Sequence, residues 1–253
     1  MKKISLLLFF CVCVVISFAQ SDTNNVDGKG QKQGIWKENI ARILWFGKYE
    51  NNKKEGVWRC YHPGGTVWEL AEYKNNLKNG IYLKLDHAGT LLYEATYKND
   101  TLNGAEKKFF TQGRKQEYTE YKMGLLHGSR KIYTTEGKIQ EEASYKNGML
   151  HGSRKWYFLS SNVNTLMNYE NNTIEGVYIL YYDSVGKINE QGAYLKNELN
   201  GKYTEYFRSQ KIKAQGSYKS GKKEGVWKEF DESGKEIKKE EFVNGELKQK
   251  KKK

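Results

Sequence analysis

Tyrosines and glycines recur along this chain with a nearly constant spacing, and the recurrence predicts its architecture. Nine glycines, which we call the anchor glycines, mark the copies: Gly34, Gly56, Gly80, Gly104, Gly128, Gly152, Gly176, Gly201 and Gly225. They lie 22, 24, 24, 24, 24, 24, 25 and 24 residues apart. A tyrosine stands seven positions before each one from the second onward: Tyr49, Tyr73, Tyr97, Tyr121, Tyr145, Tyr169, Tyr194 and Tyr218. Such a period indicates an array of stacked copies of one unit.

Each copy contains two turn signals. The residue four positions before the anchor glycine is of a type that tolerates positive φ: Asn52, Asn76, Asp100, Gly124, Gly148, Asn172, Asn197 and Gly221. A second turn is marked by Gly65, Gly89, Gly113, Gly137, Gly186 and Gly234. Asparagine, aspartate and glycine are the residues that enter the left-handed region at least cost. We therefore expect positive φ at the first turn and at the anchor glycine.

Aromatic residues occupy two positions of the strand that follows each anchor glycine. Two residues after it lie Trp36, Trp58, Tyr82, Tyr178, Tyr203 and Trp227, and five residues after it lie Tyr61, Phe109, Tyr133, Tyr157, Tyr181, Tyr206 and Phe230. An offset of three places the two sets on opposite faces of a strand. Small residues such as Ala71 and Gly216 often stand two positions before the repeat tyrosine, where they leave room for neighbouring rings.

A unit of about 24 residues with two turns holds two strands and no helix. The predicted fold is all-β: an elongated, single-layer antiparallel meander of about nine stacked β-hairpins, without helices apart from the N-terminal signal segment. Two strands per copy, at about 4.8 Å each, give roughly 10 Å per repeat.

The repeated pattern Tyr-x-x-Gly-x-x-x-Gly-x-x-x-x-Tyr, best seen over 121–133 and 145–157, resembles the MORN repeat. It is most similar to the bacterial variant found in YwqK-type antitoxins. The resemblance covers residues 28–247 and implies a hairpin per repeat in one extended sheet. Glu106, Arg130 and Arg154 depart from it, because other copies carry Trp or Tyr there.

The N-terminus has the features of a secretory signal peptide. Lys2 and Lys3 precede an apolar run from Ile4 to Phe18, and Ala19 ends a small-residue cleavage site. A membrane anchor is the alternative, although the run is shorter than the roughly 20 residues a spanning helix needs. We expect a signal peptide over 1–19, a linker over 20–27, the repeat array over 28–247 and a basic disordered tail over 248–253. The expected location is secreted, periplasmic or in the cell envelope.

Composition and charge narrow the classes of function. The 253 residues are 38% hydrophobic and 14% aromatic, with a net charge of +13. Removal of the signal peptide lowers this charge to +11, and five of the remaining positive charges lie at the C-terminal end. Basicity is thus partly a property of the tail, and we expect no nucleic-acid partner. Cys60 alone remains after cleavage, so no internal disulfide forms.

The sequence contains no recognisable catalytic constellation. His127 and His151 occupy the same place in consecutive copies, about 10 Å apart by strand spacing, which is too far to share a metal ion held at about 2.0–2.1 Å. No zinc spacing, nucleophile elbow or phosphate loop occurs. We expect no enzyme activity, no metal site, no cofactor and no small-molecule substrate.

Two groups of residues are candidates for binding. The first is the aromatic row Trp36, Trp58, Tyr82, Tyr178, Tyr203 and Trp227, which serves either to pack the sheet or to stack a ligand. The second is Arg130 with Arg154, which form either a solvated face or a contact for an acidic partner. We predict a non-catalytic scaffold that binds a protein, and an antitoxin or immunity role is one form that this binding could take. The alternatives are a module for anionic membranes or envelope glycans, and a structural spacer.

Overall fold

The computed structural model describes residues 23–183 and 186–249, and these residues form one 22-stranded β-sheet. No helix occurs among them. In particular, these two ranges contain no helix that is long and apolar enough to cross a membrane. The proposed signal peptide at 1–19 and the end of the tail at 250–253 lie outside the described residues.

The strands are short and regularly spaced. In the first half of the sheet they are β1 (Asn25–Val26), β2 (Lys32–Ile40), β3 (Ile43–Glu50), β4 (Lys53–Tyr61), β5 (Val67–Lys74), β6 (Leu77–Leu85), β7 (Leu91–Lys98), β8 (Thr101–Phe109), β9 (Lys115–Lys122), β10 (Leu125–Tyr133) and β11 (Ile139–Lys146). In the second half they are β12 (Met149–Tyr157), β13 (Val163–Glu170), β14 (Thr173–Ile174), β15 (Gly176–Tyr181), β16 (Ile188–Leu195), β17 (Glu198–Leu199), β18 (Gly201–Tyr206), β19 (Ile212–Lys219), β20 (Lys222–Phe230), β21 (Glu236–Val243) and β22 (Glu246–Leu247).

The sheet is an antiparallel meander in which each strand pairs with the next along the chain. β14 with β15, and β17 with β18, are each one strand that is interrupted just before an anchor glycine. Among the described residues the first and last strands do not pair, so the sheet is open. The prediction of an all-β hairpin meander is confirmed.

The sheet begins earlier than the sequence predicted. Asn25–Val26, which we placed in the linker, form β1 and pair with β2. A turn headed by Asp27 makes this possible, because its Oδ1 accepts hydrogen bonds from the backbone N–H groups of Lys29 and Gln31. No repeat tyrosine or anchor glycine precedes this half-repeat, so the periodicity did not mark it.

The first turn of each copy has the backbone of a type I′ hairpin turn. φ is positive at all eight positions predicted from the sequence, for example 69° at Asn76 and 80° at Gly124. The preceding residue is also left-handed, as at Asn75 (φ 53°) and Met123 (φ 51°), which the sequence analysis missed. Two consecutive positive φ values match the twist of the flanking strands.

The second turn contains a left-handed residue that is usually glycine. In the turn at Asp86, the carboxylate Oδ1 accepts hydrogen bonds from the N–H groups of Ala88 and Thr90. Ser161 and Gln210 take the left-handed position in two copies, with φ of 70° and 67°, so a turn forms there without glycine. The first copy differs, because a two-residue turn at Ala41 and Arg42 joins β2 to β3.

Asparagine or aspartate side chains connect five of the first turns to the copy before them. Asn76 Oδ1 accepts a hydrogen bond from the N–H of Lys54 at 2.7 Å, and the N–H of Asn76 donates to the Lys54 carbonyl at 3.1 Å. Asn52, Asp100, Asn172 and Asn197 make the same side-chain contact in their copies. The turn residue therefore serves two purposes: it adopts the left-handed backbone and it bonds to the neighbouring hairpin.

The two faces of the sheet differ in burial. One face, which we call the ring face, carries the aromatic row two residues after the anchor glycines together with the repeat tyrosines. The other, which we call the open face, carries the residues one, three and five positions after the anchors. Trp58 and Ala71 on the ring face are 0% and 1% exposed, whereas Val57 on the open face is 43% exposed. The core of this one-layer protein is therefore the packed ring face.

Candidate functional site

The aromatic row proposed for binding forms the interior of the ring face. Trp58, Tyr82, Tyr178 and Trp227 are at most 8% exposed, and Trp36 and Tyr203 are half-buried. Rings in stacked hairpins bury one another because no second layer covers them. Most of this row is thus unavailable to a ligand.

The repeat tyrosines fill the spaces between these rings. The ring of Tyr49 lies between Trp36 and Trp58, edge to face, with centroid distances of 5.6 and 4.9 Å. Tyr218 contacts Trp227 in the same way at 5.0 Å. Edge-to-face contacts stabilise such pairs beyond the area they bury, which gives the periodic tyrosine a structural role.

Lysines two positions before the anchor glycine cover the outer surface of the rings in four copies. Lys54 Nζ lies 4.2 Å from the Trp58 ring centroid, and Lys223 Nζ lies 4.2 Å from that of Trp227. Lys32 and Lys78 make the equivalent contacts. These are cation–π distances, so a cation of the chain itself occupies the place where a cationic ligand would bind.

Tyrosine hydroxyls on this face donate hydrogen bonds to half-buried glutamates. Glu190 accepts from Tyr178 and Tyr203 at 3.2 and 2.7 Å, and Glu69 accepts from Tyr82 at 3.0 Å. Burial, followed by the neighbouring carboxylate, raises the pKa of Tyr82 and Tyr178 well above the usual value. These phenols stay protonated at neutral pH and act as hydrogen-bond donors.

The middle copies replace the aromatic row with ion pairs. Arg130 Nε lies 2.7 Å from Glu117 Oε1, and Arg154 Nε lies 3.0 Å from Glu141 Oε1. Glu106, the third departure, is 8% exposed and accepts hydrogen bonds from two tyrosine hydroxyls. The two arginines proposed for an acidic partner therefore already hold carboxylates of this chain.

Adjacent basic residues of these copies lie on opposite faces of the sheet. Lys131 pairs with Glu142 at 2.9 Å on the open face, whereas Arg130 pairs with Glu117 on the ring face. The basic residues of these copies thus do not form one continuous patch.

A row of exposed β-branched residues lies on the open face, and the sequence analysis did not single it out. The position immediately after the anchor glycine carries Ile35, Val57, Ile81, Val177 and Val226, which are 43–51% exposed. The first three belong to consecutive copies. The recurrence of Ile or Val next to the anchor was the signal that could have identified this row.

Histidines in two neighbouring copies occupy a structural position beside the first turn. In other copies the residue before the anchor accepts a hydrogen bond from the next turn; Glu55, for example, accepts from the N–H of Asn75 at 2.7 Å. His127 and His151 stand at this position with buried Nδ1 atoms that have no hydrogen-bond partner. Over 23–183 and 186–249, no group of three or more His, Cys, Asp or Glu side chains could hold a metal ion.

A concave region of about 640 Å³ lies on the ring face near the C-terminal end. Tyr203 and Trp227 from the predicted row line it, together with Tyr218. Lys213 and Glu205 at this site form an ion pair of 2.6 Å. This is the part of the aromatic row that comes closest to an accessible groove.

Comparison with known proteins gives one finding about the repeat. Residues 54–75, 78–99, 126–147 and 223–244 match the MORN repeat variant. No curated protein matches the chain. Each matched segment begins two residues before an anchor glycine and ends in the first turn of the next copy. Four segments of the chain are therefore similar to the MORN repeat variant, and each of them consists of two adjacent strands of the sheet.

Proposed function

We propose that this chain is a secreted or periplasmic, non-catalytic repeat scaffold that binds a protein partner through its open face. The observation that carries the proposal is the exposure of Ile35, Val57 and Ile81, at 47%, 43% and 45%, in three consecutive copies. Apolar side chains that stay exposed in a regular row mark interaction surfaces.

The geometry of the row suits a protein better than a small ligand. Successive members are separated by two strands, or about 10 Å, so the three span roughly 20 Å of a gently twisted surface. A partner surface of ordinary size covers that length. Because each side chain is already about half-buried, burial of the remainder contributes roughly 0.7–1.4 kcal/mol, about half of the value for full burial.

The open face is also favoured as the binding surface because rings and arginines of the ring face are already occupied by side chains of the same chain. Four rings of the ring face lie beneath lysines of the same chain, and Arg130 and Arg154 are paired. Stacking of an envelope glycan needs accessible ring faces, and attraction to an anionic membrane needs unpaired cations. On the ring face, the glycan and membrane alternatives therefore have less support than a protein partner has on the open face.

The proposal has two further parts: the chain is exported, and one candidate for its protein partner is a toxin. Export follows from the signal-peptide features of 1–19. An antitoxin or immunity role would require a toxin that acts in the compartment where this chain resides. Detection of the full-length, uncleaved chain in the cytoplasm alone would contradict the export part of the proposal.

A capture experiment with matched variants tests the binding surface. The mature chain, residues 20–253, is immobilised and exposed to an envelope extract, and retained proteins are identified by mass spectrometry. Wild type is compared with the double variant Val57→Lys/Ile81→Lys and with the control Val177→Lys/Val226→Lys. The control changes the same position at the other end of the array, and Lys202 shows that lysine is compatible with it.

We expect one protein to be retained by wild type and by the control but lost from the Val57/Ile81 variant. Equal retention by all three proteins would place the binding surface elsewhere. Retention of no protein by wild type would contradict the proposed function itself.

A further inference from the structure

Several departures from the repeat pattern cluster at one place in the array, and they concern residues with binding chemistry. Pro63 is the one proline in the sequence. Trp68 stands where the neighbouring copies carry Leu44 and Leu92, and His87 stands where later copies carry Thr111 and Thr135. In an array that repeats its residues so closely, clustered departures point to a local requirement.

The departures converge in space on a single cavity. A concavity of about 470 Å³ is lined by Arg42, Ile43, Leu44, Tyr61, His62, Pro63, Trp68 and His87. These residues come from three successive turns of the second type. The volume lies within the range of small-molecule sites, about 300–1,000 Å³.

Three aromatic rings form one wall of this cavity. The ring of His62 lies 3.9 Å from that of His87 and 5.3 Å from that of Trp68, centroid to centroid. His62 is 8% exposed, and its Nε2 lies 3.1 Å from the Leu85 carbonyl oxygen. Because a carbonyl only accepts, Nε2 carries the proton, and the ring is fixed in place.

The permanent charge that lines the cavity is positive. Arg42 is its one permanently charged lining residue, and no carboxylate lines it. Arg42 is exposed, and none of the ion pairs among the described residues includes it. Its φ of 66° is a left-handed conformation that asparagine or glycine would adopt at lower cost. An unpaired guanidinium beside an apolar and aromatic wall is suited to a carboxylate, which it can bind through two hydrogen bonds.

We propose that this cavity binds a small amphipathic carboxylate, with an aromatic or branched aliphatic body and an anionic head. The body would pack against Trp68, Ile43 and Leu44, and the carboxylate would accept hydrogen bonds from the Arg42 guanidinium. This site is separate from the Ile35–Val57–Ile81 row, and it adds a ligand class that the sequence analysis did not expect.

Titration of the mature chain with 3-phenylpropionate, followed by calorimetry and ligand-observed NMR, tests the proposal. The variants are Arg42→Gln, which removes the charge at an exposed turn, and Trp68→Leu, which installs the residue of the neighbouring copies. The control is Lys74→Gln, which removes one positive charge from an exposed position outside the cavity. 3-Phenylpropanol serves as the uncharged analogue.

We expect wild type and Lys74→Gln to bind 3-phenylpropionate equally. Each of the other two variants should weaken binding by about tenfold, and so should the change of ligand to 3-phenylpropanol. Unchanged unfolding midpoints for Arg42→Gln and Trp68→Leu would show that the loss is local.

Two results would overturn the proposal. One is the absence of 3-phenylpropionate binding to wild type at millimolar concentration. The other is binding that neither Arg42→Gln nor Trp68→Leu reduces. Both outcomes are independent of the capture experiment, because neither variant alters the exposed row of the open face.

Discussion

Tryptophan in the aromatic row requires glycine on the preceding strand, and this requirement gives a sharp prediction. A Cβ added at Gly47 would overlap the indole of Trp58, and a Cβ at Gly216 would overlap that of Trp227. Where the row carries Tyr82, the equivalent position is Ala71, which is 1% exposed. The smaller phenol leaves space for one methyl group, and the indole does not.

The expected cost of Gly47→Ala follows from overpacking. φ at Gly47 is outside the left-handed region, so alanine is compatible with the backbone and the clash alone decides the effect. Trp58 is 0% exposed and its Nε1 donates to the Lys48 carbonyl at 3.1 Å, so the ring has no free direction to move. We expect a loss of about 1–3 kcal/mol in the free energy of unfolding.

The double variant Gly47→Ala/Trp58→Tyr should recover stability, because it recreates the native Ala71–Tyr82 arrangement. Trp58→Tyr alone should cost roughly 1.5 kcal/mol through lost volume and the lost indole hydrogen bond. The coupling energy between the two changes should be favourable and about 1–3 kcal/mol. Gly28→Ala is the matched control, since nothing lies within 4 Å of its added Cβ.

Urea unfolding followed by circular dichroism measures the four free energies of the cycle. Hydrogen exchange by mass spectrometry shows whether the loss stays in the first copies, as nearest-neighbour packing in repeat arrays requires. Additive effects of the two substitutions would refute the reasoning. So would a Gly47→Ala protein as stable as Gly28→Ala.

Three further substitutions test the turns and the ion pairs. Met123→Asn should raise stability by about 0.5–1 kcal/mol, read from the urea midpoint, because Met123 has φ of 51° and a side chain 76% exposed. Asn76→Ala should cost about 1–2 kcal/mol in the same assay, since it removes a hydrogen bond to the preceding copy and a residue suited to positive φ. Burial alone would raise the pKa of Glu117, but Lys108 and Arg130 outweigh it and hold that pKa below its usual 4.5. The ion pairs therefore stabilise the fold fully above pH 4.5, and this stabilisation is lost as the pH falls through the lowered pKa of Glu117. Glu117→Gln should thus flatten the dependence of the unfolding midpoint on pH below 4.5.

The fold was predictable from the sequence because the repeat fixes turn chemistry and face alternation together. A residue such as Asn76 indicates a left-handed turn by its type alone, and the phase of Tyr73 and Trp58 assigns the faces. The period of the repeat then predicts the strands and turns of the sheet, with two exceptions: strand β1 and the first-copy turn at Ala41. Those two depart from the repeat, and the period carries no information about them.

The burial and the ion pairing of the candidate binding residues were not predictable from the sequence, because both depend on contacts between strands that the sequence does not show. Nothing in the local sequence shows that Lys54 covers Trp58, or that Arg130 and Arg154 each find a glutamate on the adjacent strand. A partner 13 residues away reaches its arginine only through the register of the hairpin. Burial and pairing therefore decided which aromatic and basic residues stayed accessible.

Most residues on the ring face follow the repeat, whereas the residues that depart from it around the cavity lie at the margin of the sheet, and this difference has a physical reason. A ring-face side chain contacts both neighbouring copies, so a change there disturbs the packing of three hairpins at once. A residue at or beside a second turn, such as Trp68 near the start of β5 or His87, lies at the margin of the sheet, where a departure alters the surface and leaves the pairing of strands intact. Such positions can acquire binding chemistry at little cost in stability. Trp68→Leu and His87→Thr, which restore residues used in other copies, should therefore leave the unfolding midpoint nearly unchanged while they alter what the cavity binds.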